Sequence, residues 1–201
     1  MKNLKPLCST SLVWLICAML LTLLSSCSTP PVRPSPPVRS THIDTAKIDR
    51  LLQLIDARLA IARMVAQAKR NADLPIDDPA REENILKQAL SEASSRGVPE
   101  SLVRNFFQDQ FAASKLLQLR LHEEWQRKKQ PPFSAAPNLN HDIRPVLDRI
   151  TPQLIVALHD VQKTLANEEG RQYFLNRAKE LVRNDFDGAP RALALRSLQN
   201  N

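Results

Sequence analysis

Glycine is scarce in this 201-residue chain: three residues, at positions 97, 170 and 188. Glycines that far apart build no phosphate-cradling loop, which excludes the common nucleotide-binding signatures. Aromatic residues make up 4% of the sequence, while Leu, Ala, Arg, Gln and Glu are abundant, a balance that favours helix over sheet. The three cysteines (Cys8, Cys17, Cys27) all precede residue 28. The remainder therefore has no disulfide framework, no thiol nucleophile and no cysteine metal site. His42, His122, His141 and His159 are dispersed among linker, loop and helix surface, with neither metal-ligand spacing nor a Ser-His-Asp pattern. The formal charge of +7 is moderate, and Lys and Arg are interspersed with acids, so the sequence gives nucleic acid no special support as a partner.

Long apolar runs are lacking as well. The one extended run, residues 12–24, is 13 residues long, against the about 20 needed for a membrane span. Preceded by Lys2 and Lys5, it reads as the h-region of a secretory signal at residues 1–26. It ends in LSSC (residues 24–27), the pattern of a bacterial lipobox, which makes Cys27 the expected lipidation site. Acyl chains there would anchor an exported protein to a membrane; cleavage without acylation would release it into the periplasm. Ser28, not Asp, follows the cysteine, which favours the outer membrane. Five prolines in STPPVRPSPPVRSTH (28–42) suit an extended spacer, so residues 27–42 read as anchor and linker. Loss of the two lysines of the signal leaves a formal charge of +5.

Residues 43–201 read as a single all-α domain of six helices. Helical periodicity runs from Ile43 to about Ala72, where LPIDDPA interrupts it. Asp78 is a good N-cap and Pro79 a good first helical residue for a helix to about Arg96. Gly97 ends that helix, and Pro99 starts a third that reaches about Lys129. A loop follows to residue 140. Helices are then expected from about His141 to Asn167, from there to about Asn184, and after Gly188-Ala189-Pro190, with all three glycines between helices. Residues 43–130 thus form one three-helix half and 139–201 a second.

Two helical seams carry unexpected residues. On the third helix, Phe107, Phe111, Ser114, Gln118, Leu121 and Trp125 follow one another in steps of four and three. On the first, Leu51, Ile55, Arg58, Ala62, Val65 and Lys69 do the same. Both cations project from one face, eleven residues or about three turns apart. An unpaired charge is costly to bury, so either these cations reach solvent along their stems or an anion occupies the gap. The set holds no nucleophile–base pair, so its chemistry would rest on positioning and electrostatic stabilisation. Phe111 and Trp125 read as core, Asp77 as a turn residue, and the charged run 123–129 as a solvated helix end.

The order Arg58-(10 residues)-Lys69-(8 residues)-Asp78-x-x-Arg81-Glu82, followed by Ser114-x-x-x-Gln118, resembles the all-helical AroQ-type chorismate mutases. The secretory signal, the single break LPIDD before Arg81 and a second helical half beginning IRPVLDRI resemble the exported gamma subclass. The resemblance implies a six-helix bundle with long first and third helices, no cofactor and no metal, and chorismate as substrate. It also implies a homodimer, while the lipobox makes the lipid anchor the one expected contact with a membrane.

Chorismate carries two carboxylates and an enol-ether oxygen, and its rearrangement to prephenate is unimolecular, needing no base or nucleophile. By resemblance, Arg58 binds one carboxylate and Ser114 bonds a carboxylate. Lys69 bridges a carboxylate and the ether oxygen, and Gln118 donates to the same oxygen, which makes Lys69 and Gln118 the catalytic pair. Arg81, Glu82 and the backbone near Asp78 line the site and engage the ring hydroxyl. Arg144 supplies the second carboxylate clamp, a role that falls to the partner's first helix in short dimeric relatives, where this chain has Thr41; Arg149 is its nearest competitor. Some relatives carry Glu at the position of Gln118. Two other readings stay open: an isochorismate pyruvate lyase on the same scaffold, and a non-enzymatic helical envelope lipoprotein whose seams pack a partner.

Overall fold

The computed structural model describes residues 44–199. The secretory signal, Cys27, the proline-rich spacer and Thr41 lie outside the described residues. Among the described residues there are six α-helices and no strand: α1 Thr45–Asn71, α2 Pro79–Ser95, α3 Glu100–Arg127, α4 Arg144–Leu165, α5 Glu168–Leu181 and α6 Ala189–Gln199. The long first and third helices are as expected.

The helix ends follow local chemistry. Asp73 takes a positive φ of 51° after α1, and the Leu74 N–H closes onto the Lys69 carbonyl at 2.8 Å, a left-handed stop that satisfies an end carbonyl. The Asp78 carboxylate caps α2 by accepting from the Arg81 N–H at 3.2 Å, and Pro79 occupies the first helical position, where no N–H is required. Gly97, at φ 68°, ends α2, and Val98 N–H bonds back to the Ala93 carbonyl.

Four features differ from the sequence expectation. The helix expected from His141 begins as a wide π-helical turn, Leu139–Ile143, whose start is capped by the Asn138 side chain. Pro145 has no N–H for the carbonyl four residues back, and the regular helix begins only at Arg144. Helix α5 stops at Leu181, short of Asn184, because the Asp56 carboxylate accepts from the Arg183 N–H (2.6 Å) and the Asn184 N–H (2.7 Å). Gly170 is not between helices but in the first turn of α5, buried, with its N–H capped by Asn167 at 2.7 Å. A Cβ there would lie 2.0 Å from the Thr164 carbonyl oxygen, so close packing, not turn geometry, calls for glycine. His122 is not a surface histidine: it is half-buried, its Nε2 lying 2.9 Å from the Ala66 carbonyl oxygen.

Helix α1 is the centre of the bundle. Its stripe of Ile48, Leu51, Leu52, Ile55, Leu59, Ala62 and Ala66 is almost fully buried and packs against α3, α4 and α5. Helix α6 packs along α3, where buried Asp109 accepts from the Ser197 N–H (2.8 Å) and from Arg196, and Gln110 donates to the Ala194 carbonyl (2.8 Å). Asp49 on α1 holds Arg177 and Tyr173 of α5. These ties set the C-terminal helices against the long pair. One continuous apolar core results, and the start of α4 is brought over the C-terminal half of α1 and the start of α2.

Candidate active site

Where α1, α2, α3 and the start of α4 converge lies a cleft of about 550 Å³, mouth included. All eight expected site residues line it: Arg58 and Lys69 from α1, Asp78, Arg81 and Glu82 from the start of α2, Ser114 and Gln118 from α3, and Arg144 from α4. Arg149, the competitor, is exposed and does not line it. A larger apolar groove of about 770 Å³, between the start of α3, the end of α4 and α6, contains no charged side chain.

Arg58 is 5% exposed, and its Nε and Nη1 have no hydrogen-bond partner among the described residues. Its guanidinium lies over the Phe111 ring, 5.5 Å from the centroid. Burial first, and then the charge of Arg81, push its pKa down to about 10, while Glu82 and Asp148 pull the other way. Lys69 is equally enclosed, and its Nζ donates to the Ile76 carbonyl at 2.6 Å. Burial lowers its pKa too; nearby Asp78 opposes the shift and Arg144 adds to it. Neither cation snorkels to solvent.

On the facing wall, Gln118 is 3% exposed; its Nε2 donates to the Ser114 hydroxyl at 3.1 Å and its Oε1 has no partner. One amide hydrogen is thus left for a ligand. Arg144 donates to Asp78 (2.9 Å) and to the Asn140 side chain (2.7 Å). Arg81 pairs with Asp148 of α4, and its buried Nε has no partner. The beginnings of α2 and α4 are therefore cross-linked by two ion pairs of opposite sense, Asp78–Arg144 and Arg81–Asp148.

Lys115 escaped the sequence reading. It lines the cleft, with Nζ 3.2 Å from Asp77 and 3.3 Å from Glu82. Burial works against its charge, but hydrogen bonds to Asp77 and Glu82 more than offset this and its pKa is raised. Its one signal was a lysine one step off the Ser114–Gln118 seam. Phe111, read as core, is buried and also lines the cleft beneath the Arg58 guanidinium. With Lys115 the lining carries five cations against two carboxylates, a surplus of three positive charges. Such a site suits a compact dianion and offers hydrogen-bond donors at its centre. Among the described residues, no group of three or more His, Asp or Glu side chains is gathered to hold a metal.

Residues 43–119 match the family model for chorismate mutase type II. The chain is 25% identical over 143 residues to the secreted chorismate mutase of Yersinia pestis, spanning 70% of this chain and 76% of that protein. It is 32% identical over 82 residues to the chorismate mutase of Methanocaldococcus jannaschii, spanning 41% of this chain and 83% of that protein. The crystal structure of chorismate mutase from Burkholderia thailandensis aligns with a TM-score of 0.69 at 34% identity, covering 76% of this chain and 99% of that one.

Proposed function

This chain belongs to the chorismate mutase type II family, and from that premise we propose how its cleft converts chorismate to prephenate. The activity is an isomerisation: one C–O bond breaks and one C–C bond forms within a single molecule. The observation that carries the assignment to this cleft is the Arg58 guanidinium, buried and with two nitrogens unpartnered. A buried charge without a counter-ion is costly, and a carboxylate of the substrate supplies that counter-ion.

Arg58 and Arg144 clamp the two carboxylates and hold the enolpyruvyl arm over the ring, which removes most of the conformational cost of reaching the transition state. Ser114 adds a bond to a carboxylate. Negative charge grows on the ether oxygen as the C–O bond lengthens, and Lys69 and Gln118 stabilise it from opposite walls. The Ile76 carbonyl aims the Lys69 ammonium, and the Ser114 hydroxyl aims the Gln118 amide. Arg81, Glu82 and the backbone beside Asp78 hold the ring hydroxyl. No proton is transferred and no covalent intermediate forms.

All these groups come from one chain, with seven of the eight from residues 43–130 and Arg144 from the second half, 139–201. Each protomer of a homodimer therefore has its own site. The protein is exported, in keeping with its likeness to a secreted relative. LSSC followed by Ser28 supports acylation of Cys27 and anchoring to the periplasmic face of the outer membrane.

The test incubates residues 28–201 with chorismate and, separately, with isochorismate, following substrate absorbance and identifying products, with Lys69→Ala and Gln118→Ala beside the wild type. Loss of one charge-stabilising donor costs about 10²–10³ in rate, so both variants are expected to lose nearly all prephenate formation. Pyruvate released from isochorismate in place of prephenate, or full turnover by Lys69→Ala, would overturn this reading.

A further inference from the structure

We propose that Lys115 is a positioning residue of this site: by tying Asp77 and Glu82 to α3, it latches the 72–78 loop in its substrate-binding conformation. The inference rests on the function proposed above.

The loop between α1 and α2 reaches the cleft twice. Its Ile76 carbonyl accepts from Lys69 at 2.6 Å, and its Asp78 carboxylate accepts from Arg144 at 2.9 Å. Two of the cations assigned to the substrate are therefore aimed by this loop. Yet no residue of 72–78 is fully buried: Leu74 is 46% exposed and Ile76 only half-buried, so apolar burial contributes little to holding the segment down. Its hold is polar. Lys115 contributes the tie from α3, with Nζ 3.2 Å from Asp77 of the loop and 3.3 Å from Glu82 just beyond it. Its raised pKa keeps it charged throughout the neutral range.

Without the latch, the loop samples arrangements in which Ile76 and Asp78 no longer aim their cations. Apparent affinity falls by the fraction of molecules that remain competent. Bound substrate restores the loop through Lys69 and Arg144, so the loss appears in KM and not in kcat. A lysine that touched the reacting atoms would lose kcat instead, and a merely structural lysine would lower Tm without a change in KM.

The experiment compares Lys115→Met, Lys115→Arg, Asp77→Asn and the Lys115→Met/Asp77→Asn double variant in the mature chain. It reads steady-state kinetics with chorismate, thermal melting, and amide hydrogen exchange at 72–78. Lys115→Met is expected to raise KM about fivefold, as befits a partly exposed ion-pair network, and to speed exchange at 72–78. Its kcat should stay within about twofold of wild type. Asp77→Asn should move KM the same way, the double variant should be no worse than Lys115→Met, and Lys115→Arg should restore KM. An unchanged KM in Lys115→Met, single-variant effects that multiply in the double, or a loss confined to kcat would overturn the proposal. If the wild type does not turn chorismate over, the functional reading fails by itself; faster exchange in Lys115→Met still supports the latch, and unchanged exchange overturns it.

Discussion

Replacing Arg58 by methionine should stabilise the free protein while abolishing its activity. The guanidinium is 5% exposed, and its pKa is pushed down to about 10, chiefly by burial. At ~1.4 kcal/mol for each tenfold change in proton affinity, a depression of that size corresponds to about 3 kcal/mol of destabilisation in the folded state. The contact with Phe111 at 5.5 Å returns about 1 kcal/mol. Arg58→Met keeps most of the apolar stem and removes the charge, so a net gain of about 2 kcal/mol is expected, or a Tm higher by about 6 °C for a domain of this size.

The sign with pH follows from linkage. Below about pH 10 both folded and unfolded chains hold the proton, and the cost of burying it is present in full. Above that pH the folded chain releases the proton before the unfolded chain does, so stability relative to the variant recovers as pH rises. The gain from Arg58→Met should thus be constant through the neutral range and shrink above about pH 10. Urea unfolding followed by far-UV circular dichroism at several pH values measures it, beside turnover of chorismate. A variant destabilised by about 1 kcal/mol or more, the opposite sign from that derived, would refute the reasoning. So would a variant that retained wild-type turnover.

Because Gln118 stays neutral, activity should be nearly flat from roughly pH 5 to pH 8. It should decline on the alkaline side before the ordinary lysine pKa is reached, since burial lowers that of Lys69. Gln118→Glu should convert the flat profile into one that falls as pH rises, because only a protonated carboxyl can donate; pH–rate profiles of the two proteins decide it. Gly170→Ala should cost about 1–3 kcal/mol in urea unfolding, because its Cβ would collide with the Thr164 carbonyl oxygen at 2.0 Å. Cys27→Ala should move the exported protein from the membrane fraction to the soluble periplasm, which fractionation and blotting would show.

Much of this molecule was legible in one dimension. Helix periodicity and the stops at Asp78-Pro79, Gly97 and Pro99 are local properties, set by backbone sterics and by the hydrogen bonds that a helix end lacks. The polar interruptions of two apolar seams were equally legible, because a residue's place on a helical face depends only on its spacing from its neighbours. Arg58, Lys69, Ser114 and Gln118 could therefore be singled out as facing something other than core. Tertiary structure decided what periodicity does not encode: how far each helix is rotated, and which charge across a gap of 30 to 70 residues answers which. Lys115, just off its seam, meets Asp77 and Glu82 only because α2 lies across α3 there. Arg144 lines the cleft and Arg149 does not, and Asp148, one α-helical turn beyond Arg144 on the same face, meets Arg81. Gly170 needs to be glycine only because the end of α4 passes against it. Sequence sets which face of a helix is polar; packing sets what that face meets.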